Sequence, residues 1–221
     1  MTNFIVHCLS KALAPLVKKF FLESASGLHN IPRVGPYILA CNHIGVPDAL
    51  VLTVLILQRD GRQLRFVARD DYWFSKWWVK IISRMFGVLL IDWRQPAAIL
   101  DRAQEKLKNN EPIVIFPEGT RNFDQESLVL GKTGVARLAL VARLPVIPVG
   151  YQGSSIRSLG RALKYFIWQR RRAIVNVGKP LDFSQYYNQG MSRELLYKIT
   201  DQIMIAIGAL CQRRPRLHGY L

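Results

Sequence analysis

The chain has 221 residues, half of them hydrophobic, and carries 31 Lys and Arg against 15 Asp and Glu, a net charge of +16. That length fits one domain with a substantial core and is short for two. The longest apolar run, Ala49 to Leu57 with Thr53 within it, falls well below the ~20 residues that cross a bilayer, which excludes a spanning helix on sequence grounds.

The excess positive charge favours an acidic partner: nucleic acid, anionic lipid or a phosphorylated metabolite. It is concentrated between Ser127 and Leu181, where ten basic residues occur without a single Asp or Glu. Cys8, Cys41 and Cys211 are widely spaced and form no metal-ligand pattern with the four histidines, which fits a reduced, cytoplasm-facing compartment and no metal.

In chain order, the first segment is amphipathic. Ile5, Leu9, Leu13, Leu16 and Phe20 recur at helical spacing, with His7, Lys11 and Lys18 on the other side. Pro15 divides it into two short helices, and the lysines, with no small-residue cleavage site, argue against a signal peptide. Two readings fit residues 1–27: a helical segment lying in the plane of a membrane, or one packed on the domain's own core.

A Gly/Pro-punctuated approach then feeds a strand over Tyr37 to Cys41, followed by a helix over residues 48–58. "QLRFVA" is a second strand, and "DYWFSKWWVKIISRMF" a helix whose tryptophans and lysines suit either a core or a membrane interface. "GVLLID" is a strand, "QPAAILDRAQEKLKNN" a helix opened by proline, and "PIVIF" a strand. "KTGVARLALVAR" is helical, "VIPVGYQ" and "AIVNVG" are strands, and "SRELLYKITDQIMIAIGALCQ" is the last helix. Strands alternating with helices predict an α/β fold, a layered domain over residues 28–221 around a mostly parallel sheet.

Two constellations carry chemistry. In "CNHIGVPDAL", His43 and Asp48 are five residues apart, about 500° of helical rotation, so they meet only where the backbone turns between them. Gly45 supplies permissive torsions and Pro47 suits the first turn of a following helix. A strand ending at His43, a tight turn, and Asp48 at the helix start would let the carboxylate hold one imidazole nitrogen and leave the other as a base. Cys41 is the nearest nucleophile, but a lone cysteine on an apolar strand reads as packing. The base would then act on a hydroxyl brought by the substrate. Taken alone, the pair also fits a capping aspartate beside a structural histidine.

The second constellation, "IVIFPEGTRN", runs from a strand into Glu118, Gly119, Thr120 and Arg121. It places a carboxylate, a flexible backbone, a hydroxyl and a guanidinium at the carboxyl end of a strand, where α/β sheets commonly bind ligands. Arg121 offers a planar fork for phosphate, and the backbone around Gly119 can approach a ligand closely. "GKTG" at 131–134 is not a phosphate loop, because the required first glycine is Glu126.

His-x4-Asp as "NHIGVPD", followed some seventy residues later by "FPEGTR", resembles the glycerolipid acyltransferase family that includes 1-acylglycerol-3-phosphate acyltransferases. "GVLLIDWR" is similar to the family's Gly-x-x-x-Ile-Asp-Arg segment, "LPVIPV" to its proline-containing strand, and "GKTGVARLA" to its Lys-x-Gly helix start, which brings in Lys132. The resemblance runs from about Asn30 to Gly178. It implies transfer of a fatty acyl group from an acyl-CoA or acyl-carrier-protein thioester to a hydroxyl of a phosphorylated glycerol backbone, with no cofactor beyond that donor. By carry-over, His43 is the general base and Asp48 orients it. Glu118, Gly119 and Arg121 form the acceptor site, and Arg94 is a second phosphate contact.

Three positions depart from the pattern: Gly45 stands where many members have Ser, Asn122 replaces a frequent Ser, and Trp93 occupies the family's Arg position, so that Arg94 comes one residue late. On a strand that offset reverses the side chain's face unless a bulge compensates. The expectation is a peripheral enzyme on the cytoplasmic face of the cell membrane that acylates lysophosphatidic acid on an anionic surface. Glycerol 3-phosphate, another lysophospholipid, an acyl-sugar and an ornithine lipid are alternative acceptors. A nucleic-acid-binding module would account for the charge and the "QRRR" run, but it leaves His43, Asp48 and the Glu118 turn without a purpose.

Overall fold

The apolar run ending at Cys41 becomes the middle strand of a seven-stranded sheet. The computed structural model describes residues 14–15, 18–19, 21–69, 87–91, 96–153 and 173–220. Its strands are β1 (Leu22–Ser26), β2 (Ile38–Cys41), β3 (Arg65–Arg69), β4 (Val88–Ile91), β5 (Ile113–Ile115), β6 (Val146–Gln152) and β7 (Ala173–Val177). They lie in the order β1-β7-β6-β2-β5-β3-β4. β6 and β7 pair antiparallel, and every other neighbouring pair is parallel.

All four residues of β2 are buried, as expected of a parallel strand covered on both faces. Leu39 and Cys41 point into one apolar cluster, with Val51, Leu52 and Leu55 of helix α1 (Val46–Asp60). Ile38 and Ala40 point into the other, with residues of α2 (Pro96–Lys108), α3 (Gly134–Ala142) and α4 (Arg193–Cys211). The alternation of β2 side chains therefore defines a three-layer domain. α4 shows how its sequence sets the packing: Leu196, Ile199, Ile203, Ile207 and Cys211 form a buried stripe at helical spacing, and the Ser192 hydroxyl caps the helix by accepting the Leu195 N–H at 3.1 Å.

One strand was not foreseen. Residues 22–26, inside the expected 1–27 helical segment, form the edge strand β1, paired parallel to β7 some 150 residues later. "LESAS" carries little apolar alternation, so only its distant partner makes it a strand. Of the preceding amphipathic stretch, Ala14 is buried within the α1-side cluster; residues 1–13 lie outside the described residues, as do the aromatic helix expected over 71–86 and Arg94. Among the described residues, no helix is long and apolar enough to cross a membrane.

Candidate active site

Register brings the two motifs together. Ala40 of β2 pairs with Ile115 of β5, and the same offset carried three residues beyond that pair sets His43 level with Glu118. The His43 N–H donates to Glu118 Oε1 at 3.0 Å, and the Asn122 N–H donates to the His43 carbonyl at 2.7 Å.

After His43 the chain turns into α1, with Pro47 in its first turn and Asp48 as the third helical residue. There the Asp48 carboxylate reaches back over the turn. Its Oδ2 accepts the N–H groups of Ile44 at 3.0 Å and Gly45 at 3.1 Å and lies 2.7 Å from His43 Nδ1, while Oδ1 accepts the Ala49 N–H at 2.7 Å. The carboxylate is an acceptor in every contact, so Nδ1 carries the proton and Nε2 has the free lone pair. Asp48 is 0% exposed and the His43 side chain 22%, which hides the orienting group and leaves its imidazole reachable. The Phe116 ring stacks on that imidazole, with centroids 4.2 Å apart and planes at 20°, fixing the ring's second rotational freedom. Gly45 itself is extended at φ −178°, so its torsional freedom is not what makes the turn. Asp48's hydrogen bonds to the turn's own N–H groups do that.

Cys41 is inert. Burial first, then the negative field of Asp48, pushes its thiol well above the usual range.

The "FPEGTR" turn divides its labour. Glu118 is 1% exposed; besides His43 it binds the Asn122 side-chain amide and the Val129 N–H, each at 2.9 Å through Oε2. With three internal donors, this carboxylate fastens the turn to the His43 loop. Gly119 adopts φ +65°, and a β-carbon there would lie 2.7–2.8 Å from the Cδ, Cε and Nζ atoms of Lys132. The left-handed backbone is what favours glycine here, and the flexible end of Lys132 lies across it. The Lys132 N–H donates to the Pro117 carbonyl at 2.8 Å, which brings that cation to the turn. Thr120 is exposed and Arg121 half-buried. The structure therefore gathers His43, Asp48, Glu118, Gly119, Thr120, Arg121 and Lys132 beyond the carboxyl ends of β2 and β5.

Sequence reasoning gave Asn122 no role beyond its departure from the family pattern. Its side chain donates to Glu118 and to the Ser127 carbonyl, at 2.9 and 2.7 Å, and accepts the Asp124 N–H at 3.0 Å. It ties together the whole loop after the turn. Asn42 was also passed over; it holds the end of β2 by bonding both the N–H and the carbonyl of Tyr151, at 2.7 and 2.8 Å. Asn42 directly follows β2, whereas Asn122 lies seven residues past β5 and no local pattern marks it.

The arrangement offers an oriented imidazole, no activated nucleophile among the described residues, and cationic groups one turn away. A protein-family model described as Acyltransferase matches residues 24–152. The chain is 26% identical over 175 residues to a 1-acyl-sn-glycerol-3-phosphate acyltransferase of Bacillus subtilis, covering 79% of this chain and 80% of that protein. It is 28% identical over 127 residues to the human 1-acyl-sn-glycerol-3-phosphate acyltransferase alpha, covering 56% of this chain and 43% of that one, less than half its length. Among solved structures, the 1-acyl-sn-glycerophosphate (LPA) acyltransferase of Thermotoga maritima has a TM-score of 0.58 at 21% identity over 96% of this chain and 81% of that chain, a likeness in fold.

Proposed function

The chain belongs to the acyltransferase family, and from that premise we propose that it transfers a fatty acyl group from a thioester donor to the free hydroxyl of lysophosphatidic acid, giving phosphatidic acid. The observation that carries this reading is the 2.7 Å contact between His43 and Asp48, in a loop bonded directly to the Glu118 turn. His43 Nε2 takes the hydroxyl proton as the acceptor oxygen attacks the thioester carbonyl. Asp48 stabilises the imidazolium so formed. The tetrahedral intermediate collapses by expelling the thiolate, which regains the proton from His43, so no acyl-enzyme forms. Base catalysis of this kind supplies about 10²–10⁴-fold, the remainder coming from positioning and charge.

Arg121 and Lys132 take the acceptor's phosphate, with Gly119 giving the backbone room and Thr120 a hydroxyl beside it. Arg94 is a further phosphate contact. Glu118 acts through the shape of the turn. The donor is acyl-CoA or acyl-carrier protein, and no cofactor takes part. The net charge of +16 and the amphipathic N-terminal stretch support residence on an anionic membrane surface, at its cytoplasmic face. The same charge would bind nucleic acid only non-specifically.

The test is a panel of acceptors offered to purified protein with palmitoyl-CoA and palmitoyl-carrier protein. The reading expects lysophosphatidic acid to be acylated far faster than lysophosphatidylcholine, glycerol 3-phosphate or ornithine lipid. Faster turnover of any of those three would reassign the acceptor. Names of relatives support this choice of acceptor: the Bacillus subtilis and human proteins are both called 1-acyl-sn-glycerol-3-phosphate acyltransferases.

A further inference from the structure

The loop that carries Asn122 is held on its far side by the segment following α4, outside the residues matched by the family model. α4 ends at Cys211, and Gln212 in a left-handed conformation turns the chain back. Arg214 then forms a parallel bridge with Ser127: its N–H donates to the Glu126 carbonyl at 2.8 Å, and its carbonyl accepts the Leu128 N–H at 2.9 Å. Asn122 binds the Ser127 carbonyl from within the loop and the His43 carbonyl through its own N–H. A continuous set of hydrogen bonds therefore joins Arg214 to the backbone of His43.

The start of this segment is costly to keep in place. Arg213 is 5% exposed, gives one nitrogen to Gln125 Oε1 at 3.0 Å, and has its Nη1 buried without a partner among the described residues. Burying a guanidinium so poorly satisfied opposes docking. The Arg214–Glu126 ion pair, exposed on both sides, contributes little.

The segment is fastened beyond that point. Asp201 of α4, 0% exposed, accepts the His218 N–H through both oxygens at 3.0 and 2.9 Å, the Gly219 N–H at 3.1 Å, and His218 Nδ1 at 2.7 Å. Several bonds to one buried carboxylate make a strong latch. Tyr197 stacks on the His218 ring at 4.0 Å, and Tyr220 lies 5.4 Å from Tyr197. The pair repeats the geometry of His43 and Asp48, but the backbone N–H groups its carboxylate accepts belong to the segment after α4, so the pair anchors that segment.

We infer that residues 212–220 are a strap, latched by His218 and Asp201, that holds the 122–129 loop in place and thereby positions His43 for acyl transfer. His218 and Asp201 are positioning residues; they act on His43 through the loop and touch no substrate. The inference rests on His43 being the base, so its test has a readout independent of activity.

The experiment compares wild type, His218→Ala and His218→Asn by amide hydrogen exchange and by steady-state acyl transfer. Asn retains an N–H donor near the position of Nδ1. A third variant, Gly208→Ala, lifts the strap from its other end, since a β-carbon there would lie 2.7 Å from the Arg213 carbonyl oxygen and 3.1 Å from Pro215. It also raises the helix propensity of α4 and leaves the buried apolar stripe of that helix unchanged. The expected result for His218→Ala and Gly208→Ala is at least tenfold faster exchange at Asn122, Leu128 and Val129, with β2 and β6 unchanged. With it, kcat falls on the order of tenfold while both Michaelis constants stay within about twofold, and His218→Asn restores both readings. Should His218→Ala fail to fold, Gly208→Ala decides. Unchanged loop exchange, faster exchange throughout the sheet, or a loosened loop with kcat intact would overturn the inference. Exchange data of the expected pattern in a protein that transfers no acyl group would leave the strap standing and sink the reading of the site.

Discussion

His43 Nδ1 lies 2.7 Å from Asp48 Oδ2, and that oxygen also accepts the N–H groups of Ile44 and Gly45. One carboxylate sets the tautomer of the base and shapes the turn that presents it. Asp48→Asn breaks both. Whichever way the amide is turned, its NH2 faces a donor, leaving a buried group unsatisfied at a cost of about 1–3 kcal/mol. Turnover should fall by roughly 10²–10⁴-fold and the melting temperature should drop, as measured by acyl-transfer kinetics beside calorimetry. Turnover within threefold of wild type would show that the pair is only a helix cap.

Glu118 predicts a different split. Its carboxylate faces three N–H donors and no solvent, so Glu118→Gln places an NH2 against at least one of them. We expect a stability loss of about 1–3 kcal/mol in urea unfolding, together with a lower kcat, because the His43 loop and the turn come apart. An effect confined to the acceptor's Michaelis constant, with stability unchanged, would instead mean that Glu118 meets the substrate directly.

Gly119→Ala strains a left-handed backbone and pushes Lys132 from its seat. If Lys132 takes the acceptor's phosphate, the acceptor's Michaelis constant should rise about tenfold and the donor's should stay put. Arg121→Ala should act in the same direction. Equal rises for donor and acceptor would remove both from the acceptor site.

Cys41 tests the absence of a covalent route. Its thiol is fully buried and pushed well up by that burial, so little thiolate exists at neutral pH. Cys41→Ala should retain turnover within about threefold, and native protein should resist iodoacetamide at this position. Loss of all activity, or an acylated Cys41 in a mass spectrum, would contradict the direct mechanism.

How far the site was legible depended on the range of the interaction. The five-residue spacing of His43 and Asp48, with Pro47 between, demanded a strand-turn-helix junction, and the chain builds one. The approach of "FPEGTR" to His43 comes from the pairing of β2 with β5, which no spacing in the sequence announced. Where Glu118 points was not announced either, because Asn122 and Val129 settle it, and neither belongs to the motif. Gly45 looked like the source of the turn, yet it is extended, and the side chain of Asp48 shapes the turn instead. β1 escaped notice because "LESAS" needs β7 to be a strand. The strap was invisible for the same reason: Arg213 meets Gln125 across 88 positions, and no periodicity within either segment announces that contact.

The most direct measurement is single-turnover acyl transfer to lysophosphatidic acid by wild type and His43→Ala, with enzyme in excess over the donor. The imidazole is 22% exposed and sits at the end of β2, so its removal should leave the fold intact, to be checked by circular dichroism. The account predicts transfer by wild type and a loss of at least 10²-fold in the variant. Transfer by a folded His43→Ala protein at more than a few per cent of the wild-type rate would contradict His43 as the base.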